Sequence, residues 1–169
     1  AATNTGYLAE EARTNLCLQS NAFTTTWATT GAITPVQNAM GPDGATSAWT
    51  LTDDDAASTE IVYISTALTN AVYTSSVFVK KTVGVQSSYP LFVADSNGDR
   101  MAITTIDTSN GVCTSWTAYT GRTLVTISSN CTNYNDDYWR VSLTYTADTI
   151  AVWSTYLIPA GTTSATYAG

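Results

Sequence analysis

Apolar and polar residues alternate in short runs along most of the chain, and turn-forming residues separate the runs. In residues 73–81, Tyr73, Val77 and Val79 fall in one row and Phe78 and Lys80 in the other, because successive side chains of a strand point to opposite faces. β-branched and aromatic residues without Gly or Pro favour a strand over a helix. We predict a central strand here.

The same pattern predicts further strands in residues 48–51, 60–67 and 138–146, and a central strand in residues 150–158, which are apolar on both faces. No segment of useful length has the helical period. The length of 169 residues suits one domain. We therefore predict a single all-β domain over residues 1–169, an antiparallel two-sheet β-sandwich with a flexible start in residues 1–6.

Asn97-Gly98 is the strongest hairpin signal, because both central residues of a type I′ turn need positive φ. Folding the chain about this dipeptide places Asp95 opposite Arg100, and Phe92 opposite Ile103. The first pair is predicted to be an ion pair at the rim of the sheet, worth at most about 1 kcal/mol.

A second hairpin, between residues 112–119 and 124–131, would place Cys113 directly opposite Cys131. Cβ atoms of cross-strand partners lie roughly 4.5 to 5.5 Å apart, which is close enough for a disulfide after a small adjustment. We therefore predict a Cys113–Cys131 disulfide, which suits an extracellular setting. Cys17 is left as a free thiol.

Composition excludes several functions. Six basic and thirteen acidic residues give a net charge of −7, which repels phosphate backbones and anionic lipids. We therefore expect neither a nucleic-acid nor a membrane partner. Histidine is absent, which removes the commonest general base, the usual nucleophilic triads and most zinc sites.

Rings and hydroxyls are abundant, and both suit a neutral sugar, which has an apolar ring face and a polar rim. Trp116 stands among small hydroxyls on the outer face of the second hairpin, with Tyr119 near its tip, and Tyr89 precedes Pro90 in a loop. Gln86 and Asn130 are amides suited to sugar hydroxyls. The structural alternative is a Trp116 that covers a sheet edge or an interface.

The carboxylates of the chain suggest two further functions, namely calcium binding and glycoside hydrolysis. Asp53, Asp55 and Glu60 offer oxygen ligands for calcium, although a single acidic turn is more often solvated. We expect no required cofactor and keep a structural calcium as the alternative. The remaining aspartates are glycosidase candidates by type only, since turn chemistry explains each of them: Asp95, Asp107, Asp136 and Asp137. We therefore do not expect an enzyme.

Six stretches of the chain form a recognisable series. In order, they are residues 10–16 (EEARTNL), 42–44 (PDG), 73–80 (YTSSVFVK), 106–111 (IDTSNG), 138–143 (YWRVSL) and 152–157 (VWSTYL). With this series the chain resembles a family of β-sandwich domains in bacteriophage tail-fibre and virion proteins, itself similar to jelly-roll carbohydrate-binding modules. The resemblance covers nearly the whole chain, with Glu11 where the family has Gly and extra residues around Cys131.

This resemblance implies a jelly roll with a glycan-binding or virion-adhesion role at a virion surface or in an extracellular setting, without catalysis. It also implies Glu10 or Glu11 as an alternative calcium site. The leading hypothesis is a noncatalytic module that binds a neutral polysaccharide or a cell-surface glycan. The alternative is a structural virion domain that makes protein contacts, as a homotrimer in a fibre.

Overall fold

A computed structural model describes residues 15–17, 21–53, 58–82, 89–96, 99–147 and 151–159. These ranges contain strands and no helix. The described residues therefore include no helix that is long and apolar enough to cross a membrane. The predicted all-β class is confirmed. The strands are β1 (Ala28–Thr30), β2 (Val36–Ala39), β3 (Ala48–Thr50), β4 (Ile61–Leu68), β5 (Ala71–Lys80), β6 (Leu91–Asp95), β7 (Arg100–Asp107), β8 (Val112–Ser115), β9 (Thr123–Leu124), β10 (Thr126–Asn133), β11 (Tyr138–Ala147) and β12 (Ala151–Ile158).

The described strands form three sheets. A seven-stranded sheet has the order β1-β4-β12-β6-β7-β8, with β9 beside β7, and a three-stranded sheet has the order β10-β11-β5. β2 and β3 pair with each other around a tight turn at residues 41–44, in which the Gly44 N–H donates to the Gly41 carbonyl. β9 runs parallel to β7, so the largest sheet is mixed. The arrangement is consistent with a β-sandwich.

A hydrophobic core lies between the seven-stranded and three-stranded sheets. The first sheet contributes Phe92 and Trp153, and the second contributes Val141, Leu143 and Tyr145, all of them buried. Trp153 and Tyr145 stack with ring centroids 5.2 Å apart. Two sheets that alternate apolar and polar positions bury their apolar faces against each other, and this contact holds the fold together.

The predicted faces of β11 are confirmed, because its core row is buried or half-buried and Arg140 is exposed. In β5, Tyr73, Val77 and Val79 pack against the core as predicted. The prediction of a central position for β5 is wrong among the described strands, where it pairs with β11 alone. Its other row is exposed and ends in Lys80, which suits an edge strand.

The opposite face of the seven-stranded sheet has its own apolar cluster. Leu91 and Val93 of β6, Met101 and Ile103 of β7, and Ile158 of β12 are buried there. The two central strands β6 and β7 are thus buried on both faces. β12 lies between β4 and β6, as the prediction of a central strand requires.

The Asn97-Gly98 prediction gives the right pair of strands and the wrong register; the dipeptide itself lies outside the described residues. Asp95 pairs with Met101 and Val93 with Ile103, one position away from the predicted partners. The Ser96 N–H donates to the Arg100 carbonyl, which closes the ladder in this shifted register. Asp95 therefore faces away from Arg100, and its carboxylate pairs with Arg122.

The second predicted hairpin is wrong. β8 pairs with β7, β9 also pairs with β7, and β10 pairs with β11 in the other sheet. The chain passes between the sheets at Val125, whose N–H donates to Met101 and whose carbonyl accepts from Thr146. Two apolar partner strands thus bury more of this segment than a hairpin of β8 and β10 would.

The Cys113–Cys131 disulfide is not supported, because both residues are free thiols, as is Cys17. The edges of β8 and β10 do face each other, and the hydroxyls of Ser115 and Ser129 are 2.7 Å apart. Burial, and then the neighbouring Cys131, raises the pKa of the Cys113 thiol to about 12. The two cysteines lie on different sheets, so the geometry of a cross-strand pair does not apply.

Candidate functional site

Trp116, the leading sequence candidate, is buried and 6% exposed. The chain leaves β8 at Ser115, and the Trp116 side chain covers the second apolar cluster of the seven-stranded sheet. Its Nε1–H donates to the Thr105 hydroxyl at 2.8 Å. The expected exposed position is therefore wrong, because the strand ends before Trp116 and the ring turns onto apolar side chains.

Tyr119 is half-buried beside Trp116, with ring centroids 5.9 Å apart. Asn130 is exposed on the outer face of the three-stranded sheet, opposite Ser142, and is thus on a different sheet from Trp116. Tyr89 is half-buried in the segment before β6, and Gln86 lies outside the described residues. Among the described members of this set, the structure brings together only the Trp116 indole ring and the Tyr119 phenol ring.

The predicted calcium ligands do not form a cluster among the described residues. Asp53 is half-buried after β3, Glu60 is buried before β4, and Asp55 lies outside the described residues. The described part of the chain contains no group of three side chains suited to holding a metal ion. Glu60 packs instead under the Gly31 backbone, which has a positive φ and leaves no room for a β-carbon.

Two tyrosines that the sequence analysis missed lie side by side on the outer face of the seven-stranded sheet. Tyr63 of β4 and Tyr156 of β12 are directly paired across the strands, and their rings meet edge to face with centroids 5.5 Å apart. Both are half-buried, so part of each ring is open to solvent. We call Tyr63, Ser65, Ser154 and Tyr156 the tyrosine face.

Hydroxyl groups lie next to these rings. Ser65 and Ser154 are paired two positions along the same strands, and their hydroxyl oxygens are 2.8 Å apart. Burial raises the pKa of the Tyr156 hydroxyl, a hydrogen bond with Ser154 opposes that shift, and the charge of Asp95 adds to it. At neutral pH the Tyr156 hydroxyl is therefore protonated and can both donate and accept hydrogen bonds.

An ion pair borders the tyrosine face. The Asp95 carboxylate lies 3.3 Å from the Arg122 guanidinium, with side chains 5% and 25% exposed. Asp95 pairs with Ser154 across β6 and β12, which places the ion pair beside the serine hydroxyls. Arg122 follows a turn in which its N–H donates to the Tyr119 carbonyl, and Gly121 supplies the positive φ. The loop carrying Trp116 and Tyr119 thus also delivers Arg122.

Rings, hydroxyls and a guanidinium in one place can contact a polar ligand with an apolar face. The sequence signal was the tyrosine–serine spacing of two in both strands: Tyr63 with Ser65, and Ser154 with Tyr156. Antiparallel pairing of the two strands brings like residues opposite each other. The strand prediction at residues 150–158 treated both faces as core and so overlooked this match.

A cleft of about 680 Å³ opens elsewhere, between the β2–β3 sheet and the edge of β5. Phe23 and Trp49 line it, with ring centroids 5.5 Å apart. Its inner wall consists of core residues such as Val77 and Phe92, and none of the sequence-predicted binding residues lines it. The cleft is therefore separate from the tyrosine face and from the binding residues predicted from the sequence.

Comparison of the chain with protein-family models and with curated proteins found no match.

Proposed function

We propose that this chain is a noncatalytic carbohydrate-binding module that holds a neutral polysaccharide on the tyrosine face. The observation that carries the proposal is the pairing of Tyr63 with Tyr156 beside a serine pair and the Asp95–Arg122 ion pair. A sugar ring resting on the aromatic edges would present its hydroxyls to the exposed Ser65 and to Arg122, while the buried Ser154 holds the Ser65 hydroxyl from behind. Such donors and acceptors fix orientation, while the rings supply apolar contact.

We also propose that the chain folds as a jelly roll. The chain alternates between the larger sheets, with β4 in one, β5 in the other, β6 to β8 back in the first, and β10 and β11 in the second. The last strand, β12, then inserts between β4 and β6. This alternation supports a jelly roll. As part of the proposal, the module belongs to a virion fibre or to a secreted, glycan-active protein, in a virion-surface or extracellular setting.

The proposed module is noncatalytic, and the chemistry of the tyrosine face agrees with this. Glycoside hydrolysis in most families uses two carboxyl groups, about 5 to 10 Å apart. Asp95 is the one acidic residue we assign to the site, and the Arg122 guanidinium compensates its charge. Asp107, the other earlier candidate within a strand, caps the loop after β7 through hydrogen bonds to Ser109 and Asn110.

The test is binding to a panel of neutral polysaccharides by affinity electrophoresis, followed by Tyr63→Thr on the polymer that binds. Threonine keeps the strand propensity of the site and removes the ring. One lost aromatic contact of about 1.5 to 3 kcal/mol lowers affinity about 10-fold or more. Tyr134→Thr, at an exposed ring in the turn between β10 and β11, is the matched control and leaves affinity unchanged. Equal affinity of Tyr63→Thr and the parent would refute the site.

A structural virion domain is the second candidate function, favoured by exposed aliphatic side chains at one end of the three-stranded sheet. Val72 is 60% exposed and Ile127, in a β-bulge, is 57% exposed. The bulge turns the Ile127 side chain outward. Light scattering at micromolar concentration tests this candidate: a trimer that Val72→Thr dissociates supports protein contacts, and a monomer rejects them.

A further inference from the structure

The outer face of the three-stranded sheet carries a second, chemically different surface. Strand pairing arranges its exposed side chains in three rows across β5, β11 and β10. Two rows consist of hydroxyls and one amide, and the third contains a ring and a guanidinium. The rows are Thr74, Thr144 and Ser128; Ser76, Ser142 and Asn130; and Phe78, Arg140 and Thr132.

An aromatic platform closes one end of this surface. Phe78 is 41% exposed and Tyr134 is 53% exposed, and their ring centroids are 4.6 Å apart. Arg140 sits directly opposite Phe78 in the ladder and is exposed. An apolar ring and a guanidinium at adjacent positions suit a ligand that has an apolar face and an anionic group.

The charge of this surface is opposite to that of the whole chain. β5, β10 and β11 contain no Asp or Glu, although acidic residues outnumber basic ones thirteen to six in the chain. Lys80 and Arg140 are exposed there, and neither forms an ion pair with any described residue. The nearest acidic residues in sequence are Asp136 and Asp137, in the turn before β11.

The neighbouring Lys81 does not add to the surface. Its ammonium donates to the Asn133 side chain at 2.8 Å and lies 4.4 Å from the centre of the Trp139 ring. Lys81 is thus engaged in holding the β10–β11 turn against the end of β5. Arg140 remains the exposed cation next to the aromatic platform, with Lys80 two positions beyond Phe78 on β5.

We propose that this surface is a second binding site, for a carboxylated sugar unit of an acidic polysaccharide. The sugar ring rests on Phe78, its carboxylate accepts hydrogen bonds from Arg140, and Asn130 and Ser142 contact its hydroxyls. A planar guanidinium matches a carboxylate with two parallel hydrogen bonds, and the proposal commits to a uronic acid, with a sulfated polymer as the competing ligand in the test. The net charge of −7 opposes non-specific polyanion binding, so recognition depends on this local surface.

The test uses the full chain and three uronate polymers, namely polygalacturonate, alginate and hyaluronate, with fully methyl-esterified polygalacturonate as the neutral control. Saturable binding to at least one of the acidic polymers is expected, with the esterified polymer bound at least about 10-fold more weakly, because a charge-assisted hydrogen bond is lost. No binding to any of the three, or equal binding to the ester, would overturn the proposal.

Variants locate the site. Arg140→Gln and Phe78→Thr are each expected to lower uronate affinity about 10-fold or more. Arg100→Gln removes the same charge from the seven-stranded sheet and leaves affinity unchanged. An equal loss in Arg100→Gln would indicate a net-charge effect, and dextran sulfate binding with the same dependence on Arg140 would reject the choice of carboxylate. Tyr63→Thr retains uronate binding, which separates this site from the tyrosine face.

Discussion

The Asp95–Arg122 ion pair supports the loop at the tyrosine face, so removal of one partner tests that part of the structure. Arg122→Gln leaves the Asp95 carboxylate, 5% exposed, without the guanidinium 3.3 Å away. Breaking a buried pair costs about 3 to 5 kcal/mol, and the 25% exposure of Arg122 lets water replace part of the loss. We expect the free energy of unfolding to fall by about 2 to 3 kcal/mol.

Urea unfolding at pH 7, followed by tryptophan fluorescence, measures this change for Arg122→Gln, Asp95→Asn and the double variant. Because either single change already breaks the pair, the double variant loses less than the sum, with a coupling of about 1 to 3 kcal/mol. Arg100→Gln is the control, since Asp99, 3.8 Å away, is 71% exposed, and it changes stability by at most about 0.5 kcal/mol. A loss below about 0.5 kcal/mol in Arg122→Gln, or strict additivity, would refute the support role.

Three further predictions concern other positions. Trp116→Ala destabilises the fold by about 3 to 5 kcal/mol in urea unfolding, because it opens a cavity in the second apolar cluster; a loss below about 1 kcal/mol would contradict the burial of this ring. Hydrogen bonds from Asn110 and Ser109 hold the pKa of Asp107 at about 2, below its ordinary 3.8, so its contribution to stability is present above pH 3.8 and disappears as pH falls through about 2. Asp107→Asn is therefore less stable than the parent at pH 6 and equal to it below pH 2, and a constant difference in unfolding free energy across that range would contradict the shift. Thiol titration of the denatured, unreduced protein yields three thiols, whereas one thiol would reinstate a disulfide.

Strand positions with one buried and one exposed face were predictable from the sequence. In β11 the alternation of Val141 and Leu143 with Arg140 and Ser142 corresponds directly to core and solvent. The period of two is a local property, so the sequence specifies it without knowledge of the partner strand. The same holds for the turn at Gly44, where positive φ requires glycine.

Register and pairing were not predictable in the same way. The register of β6 and β7 differs by one position from the predicted one, so the Asp95 carboxylate pairs with Arg122 and not with Arg100. Nothing local in the sequence distinguishes the two registers. The alternation of residues 124–131 is equally compatible with a hairpin or with pairing in two sheets. Trp116 was misplaced for this reason, because its exposure depended on that pairing.

The tyrosine face was not predictable from local sequence patterns, because it is formed by two strands that are about 90 residues apart in the chain. Tyr63 and Tyr156 become neighbours only through the insertion of β12 between β4 and β6. Neither residue stands in a polar run that marks it as a ligand contact. Sites assembled from distant strands are visible in the tertiary structure and not in local patterns.

An amide chemical-shift titration with the bound neutral polysaccharide tests the central claim most directly. The account predicts saturable shifts concentrated at Tyr63, Ser65, Ser154 and Tyr156, and in the loop that carries Tyr119 and Arg122. Saturable shifts confined to other strands, with the tyrosine face unchanged at full occupancy, would contradict it.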